Sequence, residues 1–339
     1  MSESPTARFM IVSASFIIII AGMKSAEVIL VPFLLSLFIA VICYPPLSWL
    51  KSKGVPAALA LCLIVTLVAT ITLLFWTVVG SSINNFRGDL PEYKERLLEV
   101  SMQGKQFLDA KGIVVSSDIW FDVFDPSIAL SFAGTMMSSL GNVMTNALLI
   151  FLTVIFILAE EVRFSDKVKL SAGGNSLKGV EAVDRFVVSI NKYMAIKAAL
   201  SLLTGVLIIS WLMFLGVDYP IMWGMFAFML NFVPNLGSII AAVPAVLLAL
   251  IQLGVGDALY TGLGYVVVNM LIGNVLEPRM MGKGLDLSTL VVFLSLVFWG
   301  WVLGPVGMLL SVPLTMTLKI ALESFDDTRW VAVFLGSGK

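Results

Sequence analysis

Long apolar stretches separated by short polar segments run along almost the whole chain. A helix of about 20 apolar residues is long enough to cross the hydrocarbon core of a bilayer. The chain therefore predicts an all-α, polytopic membrane protein with about seven or eight hydrophobic spans and one small soluble insertion. The apolar stretches cover residues 9–23, 26–44, 56–79, 140–159, 198–215, 221–251, 258–276 and 288–321.

Pro and Gly interrupt two of these stretches, at residues 230–237 and 298–307. The two halves of the first, Ile221–Phe232 and Gly237–Ile251, give only about 18 Å and 22 Å of helix. Neither half comfortably crosses a hydrocarbon core of about 30 Å. Both interruptions therefore predict re-entrant hairpins, with two pairs of short spans as the alternative.

The two interruptions indicate an inverted repeat. By the parity of crossings, the helix 198–215 runs outward before the first hairpin, whereas the helix 258–276 runs inward before the second. The segments Gly237-Ser-Ile-Ile-Ala-Ala-Val-Pro244 and Gly307-Met-Leu-Leu-Ser-Val-Pro313 echo each other weakly, with an offset of one residue. Paired, broken hydrophobic segments are typical of the binding site of a transporter.

The composition agrees with a protein embedded in the lipid bilayer, because 59% of the residues are hydrophobic, 13% are charged and the mean hydropathy is +1.01. The net charge of -1 indicates no nucleic-acid partner. The chain has no His, which excludes imidazole ligands, bases and proton relays. Cys43 and Cys62 lie in apolar stretches, so neither a disulfide framework nor a zinc site is expected. We expect no cofactor and no metal.

Basic residues predict the orientation. If the N-terminus, the 45–56 turn, the 160–197 and 277–287 loops and the C-terminal tail share one side, that side carries 15 of the 21 Lys and Arg residues. The opposite side carries six, against eleven Asp and Glu residues. The positive-inside rule then places both termini in the cytoplasm. In a bacterium, the membrane would be the inner membrane.

The chain divides into five predicted regions. They are N-terminal spans (1–80), an external, periplasmic helical insertion (81–137), a span with a cytoplasmic loop (138–197), a transport unit containing both hairpins (198–323) and a cytoplasmic tail (324–339). In the insertion, a heptad stripe of apolar residues predicts a helix. Two partners are open, a second helix near Ile128, Phe132, Met136 and Val143, or another subunit. The stripe consists of Ile83, Phe86, Leu90, Tyr93, Leu97, Val100 and Phe107.

The tip of the first hairpin carries the candidate chemistry for binding a solute. The half-helix that begins near Leu236 is expected to present unpaired N–H groups and a positive dipole end. Asn side chains both donate and accept hydrogen bonds, which suits a hydroxyl-rich solute. Asn235 could instead cap the half-helix, and Asn231 could satisfy freed carbonyls. The predicted substrate-binding residues are Asn231, Pro234, Asn235, Gly237, Ser238, Asn269 and Asn274.

A second group of residues is predicted to act in gating or coupling. Glu277 and Arg279 flank Pro278 at the cytoplasmic end of a span, where a mutual or hairpin-directed ion pair is the structural alternative. Gly304, Pro305 and Gly307 form the tip of the second hairpin. The two hairpins are then expected to act as opposite gates.

Five segments resemble the autoinducer-2 exporter family. They are Asn231-Phe-Val-Pro-Asn-Leu-Gly-Ser238, Glu277-Pro-Arg-Met-Met-Gly282, Leu287-Ser-Thr-Leu-Val-Val292, Phe298-Trp-Gly-Trp-Val-Leu-Gly-Pro-Val-Gly-Met308 and Ser311-Val-Pro313. The resemblance implies export of the quorum-sensing signal autoinducer-2, a small polar solute, across the bacterial inner membrane. It also implies homo-oligomers, with pentamers as the expected form, and other family members resemble sodium or lithium/proton antiporters.

Exporter and antiporter differ in the carboxylates they need, because cation/proton exchange normally uses a buried acid. Carboxylates deep in the spans are scarce here, which favours export of a neutral solute, with H+ or Na+ as the open choice of coupling ion. Gly254-Val-Gly-Asp257 matches the Gly-x-Gly-Asp string of intramembrane aspartyl proteases, but the expected partner Asp is missing. A structural membrane scaffold is the other minor alternative.

Overall fold

The computed structural model describes residues 5–112, 116, 146–171, 177–234, 236–281, 287–323 and 328–336. These residues form helices and turns, without a strand. The first four helices are α1 (Pro5–Ser25), α2 (Glu27–Ser52), α3 (Ala57–Ala110) and α4 (Ala147–Ser171). The next four are α5 (Leu177–Leu215), α6 (Pro220–Leu230), α7 (Gly237–Leu253) and α8 (Val255–Asn269). A π-helical segment (Met270–Leu276), α9 (Glu277–Met281), α10 (Thr289–Glu323) and α11 (Arg329–Leu335) follow.

Among the described residues, five helical stretches are long and apolar enough to cross a membrane. They are Glu27–Ser52, Ala57–Phe86, Ile190–Leu215, Val255–Met281 and Thr289–Glu323. Four shorter apolar helices accompany them, Ser13–Ser25, Ala147–Glu160, Pro220–Leu230 and Gly237–Leu253. The prediction of an all-helical, multi-pass membrane protein is confirmed, while the number of crossings stays a prediction.

The chain divides into two compact units. The first contains residues 1–65, 147–195 and 281–339, and the second contains residues 66–146 and 196–280. In the first unit α2 packs against α4, where the Ser36 hydroxyl lies 2.7 Å from the Pro32 carbonyl and 3.2 Å from the Ile150 carbonyl. The second break falls in the first unit, so the predicted transport unit 198–323 does not coincide with this division.

The core of the second unit is built by α3, α5, α6, α7 and α8. Small residues dominate where α7 is buried, and larger side chains from α5 and α6 fill the space beside them. The most buried members include Leu212, Met222, Trp223, Ala241, Ala245 and Ala249. This packing places the first break, between α6 and α7, at one end of a well-filled core.

Helix α3 continues without interruption from the third apolar stretch into the predicted external insertion and ends at Ala110. The helix predicted from the heptad stripe is therefore confirmed. Phe86 and Tyr93 are buried, and Leu90 and Leu97 pack on the core of the same unit. The stripe thus covers neighbouring helices of its own chain, a partner not among the two predicted. The predicted second helix, residues 128–143, lies outside the described residues, and the subunit contact stays a prediction.

Candidate functional site

The first break joins α6 to α7 through a turn closed by its own backbone. The Val233 N–H donates to the Leu230 carbonyl at 2.8 Å, and the Leu236 N–H donates to the Pro234 carbonyl at 2.7 Å. The Gly237 N–H donates to the Val233 carbonyl at 3.2 Å. The prediction of unpaired amides at the start of α7 is therefore wrong for Leu236 and Gly237. Their N–H groups already have acceptors inside the turn.

Gly237 is required at this turn because the two helix arms meet there. A Cβ atom on Gly237 would lie 1.7 Å from the Leu230 carbonyl oxygen, far inside van der Waals contact. Gly307 stands in the same relation to the second break, where a Cβ would lie 2.0 Å from the Trp299 carbonyl oxygen. The weak sequence echo aligns these two glycines. They share one geometry, a close approach of the second arm to the last turn of the first.

The second break lies within α10 at Gly304, whose φ of 64° and ψ of -155° are not helical. Pro305 follows directly and begins the next arm, a position that Pro favours. A Cβ on Gly304 would lie 3.1 Å from Glu27 Oε1, and Lys24 Nζ lies 4.1 Å from the centroid of the Trp301 ring. The junction of α1 and α2 therefore packs against this break with both of its charged side chains.

The arms of the two breaks differ in length. Helices α6 and α7 contain 11 and 17 residues, or about 16 Å and 26 Å at 1.5 Å per residue. The arms 289–303 and 305–323 of α10 reach about 22 Å and 28 Å by the same measure. No arm reaches the full core of about 30 Å, and α6 is the shortest of the four, so the re-entrant interpretation fits the first break better.

A buried ion pair joins α5 to α9. Lys197 Nζ lies 2.7 Å and 2.8 Å from the two carboxylate oxygens of Glu277. The Lys197 side chain is 4% exposed and that of Glu277 is 22% exposed. The sequence predicted Arg279 or the hairpin as the partner of Glu277. The structure instead pairs Glu277 with Lys197, while Arg279 is exposed.

Asn231 is buried at the C-terminal end of α6 and is tied to the same face of α5. Its Nδ2 donates to the Ser201 hydroxyl at 2.9 Å. Ser201 is fully buried and lies four residues after Lys197, so the two side chains stand one helical turn apart. Asn231, Ser201 and Lys197, which are buried, and the half-buried Glu277 form a polar track from the first break to the end of the helical stretch Val255–Met281.

Glycines allow α5 to approach α6 closely beside this track. A Cβ on Gly205 would lie 3.0 Å from the Gly224 carbonyl oxygen, and a Cβ on Gly224 would lie 2.8 Å from the Gly205 carbonyl oxygen. Small residues at such crossings are typical of membrane helices. Gly205 lies four residues after Ser201, so the crossing and the track share one face of α5. The crossing brings Asn231 within hydrogen-bonding distance of Ser201.

The other predicted residues lie in different surroundings. Ser238 and Asn269 line one cavity of about 410 Å³ between α7 and α8. Asn274 is exposed, so it does not join Asn269. Pro234 is half-buried in the turn. Asn235 lies outside the described residues, and the position that caps α7 is occupied by Leu236.

The π-helical segment separates Asn269 from Glu277. The Glu277 N–H donates to the Ile272 carbonyl, five residues earlier, instead of four. A wider turn rotates the following side chains relative to an uninterrupted α-helix, and single π turns are frequent at functional sites. The segment thus helps to set the direction in which Glu277 leaves the helix toward α5.

A polar cluster holds the turn before α6. The Tyr93 hydroxyl donates to Asp218 at 2.9 Å, and the Tyr219 hydroxyl donates to Asp89. Burial, assisted by the hydrogen bond to Asp89, raises the pKa of Tyr219 to about 12, and burial with the Asp218 bond also raises the pKa of Tyr93. Both phenols therefore stay protonated donors at neutral pH. Asp218 therefore has a structural role here.

Lys197 and Ser201 are functional candidates that the sequence reasoning missed. Lys197 was counted with the cytoplasmic loop because it directly precedes an apolar stretch. Its spacing of four residues from Ser201 and eight from Gly205 was the available signal, since these positions share one helix face. Only the fold shows that this face meets Asn231 and Glu277.

Comparison with known proteins identifies relatives along nearly the whole chain. Residues 13–327 match the model of the AI-2E family transporter. The chain is 39% identical over 328 residues to the AI-2 transport protein TqsA of Escherichia coli K12, covering 97% of this chain and 95% of that protein. It is 41% identical over 334 residues to a protein of Haemophilus influenzae that is named only as a transport protein, covering 95% and 94%. YhhT of Escherichia coli K12, also named for transport, is 37% identical, covering 96% and 93%.

Proposed function

We propose that this chain, which belongs to the AI-2E transporter family, exports autoinducer-2, a small polar solute, across the inner membrane by alternating access. Its relatives are named as transport proteins and not as enzymes, so the general activity is membrane transport. The specific solute is supported by the relative that is named an AI-2 transport protein. Membership of this family favours transport over the protease and scaffold alternatives.

The observation that carries the proposal is Asn231, a buried amide at the end of a broken helix. Its Nδ2 donates to Ser201, while an amide oxygen can accept a further hydrogen bond. Irregular backbone at membrane depth is tolerated where protein or water covers it. A polar side chain at such a break is therefore suited to replace the hydration of a hydroxyl-bearing solute. Asn235, on the other side of Pro234, is proposed as its partner.

The remaining features follow from the predicted orientation. With both termini in the cytoplasm, the first break faces a path from the outside and the second a path from the inside. Gly237 and Gly307 then serve equivalent turns in two opposite gates. We also propose a homo-oligomer, with five subunits as the number implied by the family. The exposed apolar faces of α2, α5 and α8 supply surface for lipid or for neighbouring subunits.

Inside-out membrane vesicles test the proposal, because uptake into them reports export from the cell. Uptake of labelled autoinducer-2 is measured under defined proton and sodium gradients. Wild type is compared with Asn231→Ala and Asn235→Ala, and with Asn84→Ala, which removes an exposed amide of α3. We expect saturable uptake in wild type and Asn84→Ala, and strongly reduced uptake in the other two variants.

Expression and oligomer size provide the control, since each variant must insert and assemble like wild type. Equal uptake by Asn231→Ala at equal expression would remove this amide from the solute path. Equal uptake by Asn235→Ala would likewise remove Asn235. Uptake no greater than in vesicles without the protein would reject autoinducer-2 as the solute.

A sodium or lithium/proton antiporter is the second candidate, and the Lys197–Glu277 pair is the observation that favours it. Glu277 lies within a candidate membrane span, and its carboxylate forms an ion pair with the buried ammonium group of Lys197. Protonation of Glu277 would weaken this pair and could couple proton movement to a conformational change. Sodium-dependent proton movement without solute uptake, abolished in Glu277→Gln, would establish this function in place of export.

A further inference from the structure

Tyr219, which joins the turn after α5 to α6, has a backbone conformation that its position in the chain disfavours. Its φ of 56° and ψ of 42° place it in the left-handed region, which a bulky side chain rarely adopts. In the described part of the chain, every other residue with a positive φ is Gly. Pro220 follows directly, and Pro pushes the residue before it toward the extended region. An extended backbone is also usual at the residue that precedes a helix.

Helix α3 holds Tyr219 in this conformation from outside the turn. The Tyr219 hydroxyl donates a hydrogen bond to the Asp89 carboxylate. The Tyr219 ring meets the buried Phe86 ring edge-on, with 6.1 Å between the ring centroids. A strained residue persists only where its surroundings fix it. The local sequence thus favours an extended Tyr219, and contacts with α3 keep it left-handed.

The conformation of Tyr219 determines how the first hairpin is attached. The Trp223 N–H donates to the Tyr219 carbonyl at 3.1 Å, which begins α6. The Asp218 N–H donates to Gln252 Oε1 at 2.9 Å, near the end of α7. A change of Tyr219 to the extended region would rotate its φ by about 180° and redirect α6. Loop residues that absorb such a change in φ and ψ serve as hinges.

We propose that Tyr219 is a hinge at the base of the first hairpin, held closed by Asp89 and Phe86 of α3 and released when the hydrogen bond to Asp89 breaks. The inference rests on the proposed function, because it assigns the joint about which the first gate moves. Release lets α6, which carries Asn231, turn away from α5, which carries Ser201. The strain of the closed turn favours this movement.

A buried thiol can report the movement of α6. Ala227 is 2% exposed and lies one helical turn before Asn231, and Cys is readily accommodated at such a small, buried position. Ala227→Cys is made in the full-length protein with Cys43→Ala and Cys62→Ala and studied in lipid nanodiscs. The rate at which a charged methanethiosulfonate modifies this thiol measures how often α6 leaves its closed position.

Two variants break the hydrogen bond from opposite sides. Tyr219→Phe removes only the hydroxyl, and Asp89→Ala removes its acceptor from an exposed position. Each should speed the modification about fivefold, as expected for the loss of one hydrogen bond to a charged group. Hydrogen exchange of the Trp223 amide should rise in parallel. Tyr260→Phe, which removes an exposed hydroxyl of α8, is the matched control and should change neither rate.

A third variant tests whether backbone strain opens the hinge. Pro220→Ala removes the restriction that Pro places on the residue before it. When it is added to Tyr219→Phe, the closed conformation should become less strained, so modification should slow again. If Pro220 only stabilised the start of α6, the second substitution would speed the modification further.

The reporter separates the hinge from the proposed function. Rates equal to wild type in both Tyr219→Phe and Asp89→Ala would overturn the hinge, and so would a further increase on adding Pro220→Ala. If Tyr219→Phe lowers the thermal stability, Asp89→Ala decides the matter. Hinge-dependent rates without uptake of autoinducer-2 in vesicles would keep the hinge and reject the solute. Uptake of autoinducer-2 with rates that do not respond would keep the proposed function and reject the hinge.

Discussion

The buried pair Lys197–Glu277 predicts a large energetic coupling between two helices of the second unit. We consider three variants, Lys197→Met, Glu277→Met and the double variant. Methionine approximates the length of both side chains, so packing changes little while the charge is removed. Each single variant leaves one charged group without its partner in a mostly buried site. The double variant removes both charges together.

The magnitude follows from burial and geometry. Breaking a buried ion pair by removing one partner costs about 3 to 5 kcal/mol, whereas replacing both partners with apolar residues is often neutral. Glu277 keeps 22% of its side-chain exposure, so water compensates part of its charge when Lys197 is absent. We therefore expect about 2 to 4 kcal/mol for each single variant and about 1 kcal/mol or less for the double variant. The coupling energy is then about 3 kcal/mol or more.

Equilibrium unfolding in mixed micelles, titrated with sodium dodecyl sulfate and followed by tryptophan fluorescence, measures the cycle. The Arg96–Glu92 pair is a matched control, because its contact is also 2.7 Å but its side chains are 45% and 61% exposed. The same cycle there should give about 0.5 kcal/mol or less. If the single penalties at Lys197 and Glu277 simply add in the double variant, the two side chains do not interact and the polar track is not continuous.

Two predictions concern the breaks. Gly237→Ala and Gly307→Ala should each lower the midpoint of unfolding strongly and reduce transport, because their Cβ atoms would lie 1.7 Å and 2.0 Å from a carbonyl oxygen. The control Gly256→Ala, whose Cβ meets nothing within 4 Å, should leave the midpoint and transport unchanged. Equal midpoints for all three variants would contradict the shared geometry of the two breaks. Gly304→Ala should cost about 1 to 3 kcal/mol, since a φ of 64° with a ψ of -155° is a conformation that essentially only Gly adopts. A midpoint equal to that of wild type would show that the backbone of this break is not held in that conformation.

The local pattern of the sequence was sufficient to find the helices and both breaks. Pro and Gly act on their own backbone, so the ends at Leu230 and Gly237 fall within two residues of the predicted positions. The heptad stripe predicted a helix for the same reason. Its packing partner was missed, because the sequence does not show that the turn before α6 folds over Phe86 and Tyr93.

The candidate site was predictable only in part because its contacts are distant in sequence. Asn231 was named from its position beside a break, but its partner Ser201 lies 30 residues earlier. Glu277 was named from its place at the end of a span, but Lys197 lies 80 residues away. Arg279 is closer to Glu277 in sequence. In a helix, however, residues two apart do not share a face, so the two side chains point in different directions.

The charges of the site favour a neutral solute over a cation. A Na+ ion at Glu277 would compete with Lys197, whose ammonium group lies 2.7 Å and 2.8 Å from the two carboxylate oxygens. The displaced ammonium group is 4% exposed and would then need another partner in a buried position. A neutral solute in the cavity between α7 and α8 requires neither step, because the described residues that line this cavity carry no charge. A neutral molecule there would leave the Lys197–Glu277 ion pair intact, so export of such a molecule requires the smaller rearrangement.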